Sequence, residues 1–220
     1  MQIAGREANI YGGSSTAPLV VLNTVGNEGE EVYRKTKELD SPDYTLLSVQ
    51  IDDWNASMTP WKEKAVASWD SDYEGKADEY IASLVDCIIP SIISRFSLNP
   101  AFIAIAGYSL GGLFALYTMY KTDVFTRFAS VSGSLWYPGF SEFAENASPI
   151  AKPEGIYLSL GNKEAKTRNP LMRNVLNSTG ELYRHYDALG IKTVFEMNEG
   201  NHFSETELRM ARGIRWLLNK

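Results

Sequence analysis

The stretch Phe102-Ile103-Ala104-Ile105-Ala106-Gly107-Tyr108-Ser109-Leu110-Gly111-Gly112-Leu113-Phe114-Ala115-Leu116-Tyr117 decides the fold. Its first five residues form an unbroken apolar run of strand length, as in a strand buried on both faces. Its last five read as the start of a buried helix. Between them, Gly107-Tyr108-Ser109-Leu110-Gly111 has the pattern Gly-x-Ser-x-Gly, which leaves room only for a sharp strand-to-helix turn. Glycines two residues either side of Ser109 allow neighbouring chain to approach without Cβ clashes. Such a turn strains the serine backbone, lifts its hydroxyl above the sheet edge and leaves the Leu110 N–H at a helix N-terminus, where it can stabilise an oxyanion. The five residues alone could be a glycine-rich turn that merely starts a helix. The strand before and the helix after favour a nucleophile.

Outward from this turn the same rhythm recurs. Apolar runs at Leu19–Leu22, Tyr44–Val49, Phe128–Val131, Ile156–Leu160 and Thr193–Met197 predict further buried strands. Helical periodicity lies between them near 29–39, 76–95, 110–121, 169–189 and 204–218. Alternating strand and helix implies a mostly parallel sheet with helices on both faces, so the predicted fold is one α/β domain over residues 1–220. The segment from Ile3 to Ile10 can add an antiparallel edge strand. The segment from Ile51 to Gly75 breaks the rhythm: it carries Trp54, Trp61 and Trp69 among polar residues with no period. Leaving the carboxyl end of a strand, it lies where ligands bind in such sheets, or else its tryptophans simply pin it to the body.

Composition narrows the function. A net charge of −6 argues against a nucleic-acid partner, because phosphates need a basic surface. The single cysteine, Cys87, excludes a disulfide framework and a thiolate zinc site. Set in Leu84-Val85-Asp86-Cys87-Ile88-Ile89, it reads as a buried structural thiol. The first residues hold no basic stretch followed by an apolar core, and no run reaches membrane-spanning length, so a cytoplasmic protein without a membrane partner is expected. Nothing specifies the oligomeric state, monomer or dimer.

A serine hydroxyl needs a base within hydrogen-bond reach. Of the two histidines, His185 falls inside a helical pattern, as a surface or packing residue. His202, in Glu199-Gly200-Asn201-His202-Phe203, follows the last strand, where such a fold needs its base. Nine acids lie between Ser109 and His202. Glu164, in the turn Gly161-Asn162-Lys163-Glu164 after the strand Ile156–Leu160, stands at the same sheet edge and is the best candidate for the third member. Glu154 precedes that strand, Glu181 and Asp187 are on a helix, and Glu196 is within the last strand. A Ser–His pair without an acid is the alternative. The second oxyanion donor is expected after Leu19–Leu22, at the Val25 N–H or at its neighbours Thr24 and Gly26. No metal or organic cofactor is implied.

With Gly107–Gly112, Gly161–Glu164 and Asn201-His202-Phe203 in place, almost the whole chain resembles the esterase family of α/β-hydrolases that holds esterase D-like enzymes, siderophore esterases and feruloyl esterase-type domains. Met58-Thr59-Pro60-Trp61 is a further echo. Ser132-Gly133-Ser134-Leu135-Trp136-Tyr137 is similar to the Ser-x-Ser-x-Trp-Trp stretch of the siderophore-esterase branch. The resemblance implies the triad Ser109, Glu164 and His202, with Trp136 lining the acyl or alcohol pocket. Trp54, Trp61 and Tyr108 join it as candidate substrate contacts. Two departures stand out: the chain is shorter than most relatives, without a visible lid, and Asn162 stands where Asp is frequent. A small-molecule ester, of short acyl chain, is the expected substrate. The same scaffold also serves siderophore trilactone hydrolases, carbohydrate deacetylases, thioesterases and non-catalytic binding proteins.

Overall fold

The computed structural model describes residues 1–66, 70–150 and 153–219, so Trp69 lies outside the described residues. In chain order the elements are β1 (Gln2–Ile3), β2 (Arg6–Tyr11), β3 (Leu19–Thr24), α1 (Glu28–Glu38), β4 (Thr45–Gln50), α2 (Trp54–Ser57), β5 (Lys62–Glu63), β6 (Tyr73–Glu74), α3 (Ala77–Ser83) and α4 (Ile89–Phe96). There follow β7 (Ile103–Tyr108), α5 (Leu110–Thr118), β8 (Arg127–Val131), α6 (Phe140–Asn146), β9 (Gly155–Gly161), α7 (Val175–Ala188), β10 (Thr193–Asn198) and α8 (Thr206–Leu218). Every predicted strand and helix is present. The small β5–β6 hairpin, α2 and α6 come from segments with too few residues to show a period.

The main sheet has the order β1-β2-β4-β3-β7-β8-β9-β10. From β4 to β10 all neighbours are parallel, while β1 and β2 pair antiparallel at one edge. Ala4 and Gly5, both at positive φ, make the two-residue turn that joins β1 to β2. Every residue of β3 and β9 is buried, as continuous apolar runs require when helices cover both faces. One face packs Val32 of α1 with Met210, Ile214 and Leu217 of α8. The other packs Tyr80, Ile92, Phe114, Leu116 and Leu182 from α3, α4, α5 and α7. All of α5 is buried, and each fully covered Leu or Phe stabilises the fold by roughly 1.5–3 kcal/mol.

Between α3 and α4 the helix widens into a π-turn over Leu84–Ile88, where the Ile89 N–H bonds Leu84 O. Pro90 supplies the reason, since it has no N–H for the carbonyl four residues back and its ring crowds that carbonyl. The expectation of a buried Cys87 is corrected here. Leu84 and Ile88 turn inward while Cys87 is exposed. Among the described residues no helix is long and apolar enough to cross a membrane.

Candidate active site

Strand order brings the carboxyl ends of β3, β7, β9 and β10 to one edge, and each carries one predicted residue into the loop that follows. Ser109, between β7 and α5, has φ 58° and ψ −123°, a left-handed conformation costly for any residue with a Cβ. The turn closes because of its glycines. A Cβ on Gly107 would lie 2.0 Å from Gly111 O, and one on Gly111 would lie 3.1 Å from the Trp54 ring. The elbow is further held by the Ser109 N–H to Val131 O and the Ser134 N–H to Ser109 O.

The three residues expected from sequence meet in one hydrogen-bonded chain. Ser109 Oγ lies 3.1 Å from His202 Nε2, and His202 Nδ1 lies 2.8 Å from Glu164 Oε2. Ser134 Oγ is a further neighbour of the Ser109 hydroxyl at 3.3 Å. The other carboxylate oxygen, Glu164 Oε1, accepts from the Gly161 N–H at 2.6 Å and the Ser132 hydroxyl at 2.7 Å. Burial pushes the Glu164 carboxyl up, but the hydrogen bond from His202, the Gly161 N–H, the charge of His202 and Ser132 together hold it below its ordinary value. It is therefore an ionised acceptor near neutral pH, suited to orient an imidazole and offset charge that develops there.

The histidine loop is built as firmly. Asn201 Oδ1 accepts from the Phe203 N–H and the Ser204 hydroxyl, an Asx-type turn that fixes the backbone around His202. Asn162 accepts from the Gly200 N–H at 3.1 Å, tying the turn after β9 to this loop. The Tyr108 hydroxyl donates to His202 O at 2.7 Å.

One functional-looking residue escaped the sequence reading. Arg209, in the first turns of α8, is 1% exposed. Its Nη1 donates to Asn201 O at 3.0 Å, to Glu164 Oε1 and Ser132 Oγ at 3.3 Å each, and to Tyr108 Oη at 3.5 Å. Its Nη2 donates to Glu199 O. The available signal was its place beside Met210, Gly213 and Ile214 on the inward face of the helix.

Beside Ser109 opens a cleft of about 320 Å³. Its walls include Leu22, Val25, Trp54, Tyr108, Phe203 and Met210. Trp54 is set there by α2, whose first turn is capped by Asp53 accepting from the Ala56 N–H. Leu110 is the first residue of α5, so its N–H has no acceptor within the helix. Val25 follows β3 at the cleft rim, 57% exposed. Of its two neighbours, Gly26 already donates its N–H to Glu28 Oε2 at 2.8 Å, and Thr24 belongs to the strand. Trp61 and Trp136 do not line this cleft. The Trp61 indole donates to Pro138 O and packs on Tyr117, Tyr137 and Phe143. Trp136 packs on Tyr73 and Tyr137. Both pin the segment after β4 to the stretch after β8, the pinning role that the sequence left open for that segment's tryptophans. His185 lies on α7, its ring against Tyr186.

Residues 21–193 match the family described as "Putative esterase". The chain belongs to this esterase family. The match contains Ser109 and Glu164 and ends before His202. Among curated proteins the chain is similar to "Uncharacterized protein YbbA" of Bacillus subtilis (strain 168), 23% identical over 187 residues that span 81% of this chain and 75% of that protein. Its fold is similar to that of an IroE-like serine hydrolase from Shewanella oneidensis, with TM-score 0.77 and 18% identity over 97% of this chain and 75% of the other. It is also similar to siderophore hydrolase EstA from Aspergillus nidulans, with TM-score 0.74 and 17% identity over 98% and 95%. The esterase-family chain thus has the α/β-hydrolase fold, with the candidate site at the carboxyl edge of its sheet.

Proposed function

We propose that this chain is a single-domain serine esterase that cleaves carboxylic esters of short acyl chain through Ser109, His202 and Glu164. The observation that carries the reading is the continuous chain from Ser109 Oγ through both ring nitrogens of His202 to Glu164, at 3.1 and 2.8 Å. His202 Nε2 takes the Ser109 proton as Oγ attacks the ester carbonyl. The Leu110 and Val25 N–H groups receive the oxyanion, and His202 then protonates the departing alcohol. Water activated by the same imidazole attacks the acyl-enzyme and releases the acid. Glu164 holds the ring in the tautomer that presents Nε2 as acceptor to the serine. The apolar wall of the cleft, with the Trp54 ring against Gly111 in the turn after Ser109, suits a small acyl group.

A second reading keeps the chemistry and changes the substrate. Structures of similar fold carry the names siderophore hydrolase and enterobactin esterase, which favours a siderophore ester as the alternative. Labelling with a fluorophosphonate and hydrolysis of p-nitrophenyl acetate test the shared chemistry. The parent is expected to do both, and Ser109→Ala and His202→Ala to do neither. A folded parent that takes no label would overturn the proposal in favour of a binding protein.

A further inference from the structure

We infer that Arg209 is a positioning residue for the esterase reaction, acting through Glu164 and the loop that carries His202. This rests on the serine-esterase reading above. A guanidinium at 1% exposure has given up its water, and for stability alone an apolar side chain of similar size commonly does as well or better. What distinguishes Arg209 is where its donors go. Nη1 reaches Tyr108, the residue before Ser109, Asn201, the residue before His202, and Glu164 itself. Nη2 reaches Glu199 O, at the start of the same histidine loop. One planar group thus touches the chain next to each of the three reacting or orienting residues, from an element, α8, that contributes none of them.

The planar fork matters as much as the charge. The Asn201 and Glu199 carbonyls are two residues apart on one loop, and two nitrogens at fixed spacing set that loop against the Glu164 carboxylate. A lysine ammonium is a single point that carries the charge without the fork. With Arg209 gone, Glu164 keeps Gly161, Ser132 and His202 as donors, but the loop loses its tie to α8. Displacing a reacting group by about 1 Å costs on the order of a hundredfold in rate.

The test is a double-mutant cycle read as kcat and KM for p-nitrophenyl acetate. Arg209→Lys is expected to stay folded and lose roughly tenfold or more in kcat with KM within about threefold. In the Glu164→Gln background the same change should cost less than about threefold in kcat, because the orientation it protects is already impaired. Comparing Glu164→Gln with Glu164→Gln/Arg209→Met extends the cycle to full loss of the Arg209 charge, and in the double variant both buried charges are removed together. These two should match in kcat. Equal losses in parent and Glu164→Gln backgrounds would overturn the inference and leave Arg209 a structural residue. So would a folded Arg209→Lys with parental kcat. Failure of the esterase reading is distinct: the parent itself would then be inactive, or Ser109→Ala would retain its activity.

Discussion

Replacing Gly107 with alanine tests whether the tight elbow sets both the fold's local packing and the reaction. The added methyl would sit 2.0 Å from Gly111 O, 2.2 Å from Gly111 C and 2.8 Å from Gly112 N. All three are backbone atoms of the first turn of α5, so no side chain can swing aside. Reaching ordinary van der Waals distance demands that the end of β7 and the start of α5 separate by about 1.4 Å. Ser109 lies between them, and its Oγ is 3.1 Å from His202 Nε2. A separation of this size breaks that hydrogen bond or tilts it out of line. Overpacking of this kind costs about 1–3 kcal/mol, or roughly 2–12 °C in Tm for a chain of this length. The misplaced nucleophile costs about a hundredfold in kcat/KM. Thermal melts with p-nitrophenyl acetate kinetics measure both. Gly190→Ala is the control: its φ is positive, unlike that of Gly107, but its Cβ would meet nothing within 4 Å, so it should lose some stability and no kcat. If Gly107→Ala melts with the parent and keeps activity within twofold, the reasoning from the elbow is wrong.

Three further outcomes follow from the same geometry. Glu164 is held below its ordinary value of 4.5 in the folded chain, so its carboxylate stabilises the fold above that pH and the contribution fades as pH falls through the lowered folded value. The Tm gap between parent and Glu164→Gln should therefore be wider at pH 6 than at pH 3, and a gap independent of pH would contradict this. Val25→Pro removes the proposed second oxyanion N–H while Thr24 before it is already extended, as proline requires. It should lower kcat by about a hundredfold or more with KM little changed, and parental kcat would move the donor elsewhere. Among the described residues, the carboxylates lining the cleft are Glu28 and Glu207, and no lysine or arginine lines it. A choline ester should accordingly exceed its neutral tert-butyl isostere in kcat/KM by about fivefold at low salt, fading as ionic strength rises. Glu28→Gln/Glu207→Gln should abolish the difference, and an unchanged preference would remove the electrostatic explanation.

The parallel sheet, its flanking helices and the elbow were legible because each is written in local order. An apolar run of strand length, two well-spaced glycines and a helical period need no distant partner to be recognised. Ser109, Glu164 and His202 were legible for a related reason: once strands alternate with helices, any loop after a strand arrives at the same edge. Cys87 was misread because the π-turn ahead of Pro90 shifts the helix face by a residue, and periodicity assumes a regular turn. Trp61 and Trp136 show the same limit. An aromatic side chain in an irregular loop carries no sign of whether it will face a cleft or pack on Phe143 and Tyr73.

The sequence by itself therefore determined the fold, the order of the site's residues along the chain and the sheet edge on which they sit, since these follow from local pattern and chain direction. Only the tertiary structure decided that the three side chains stand within hydrogen-bond reach, that the Gly26 N–H is taken by Glu28, and that Arg209 turns inward to join them. A charged residue on an amphipathic helix ordinarily seeks water. Whether it is instead buried depends on the carboxylate and carbonyls that distant segments bring to it, and those meet only when the chain has folded.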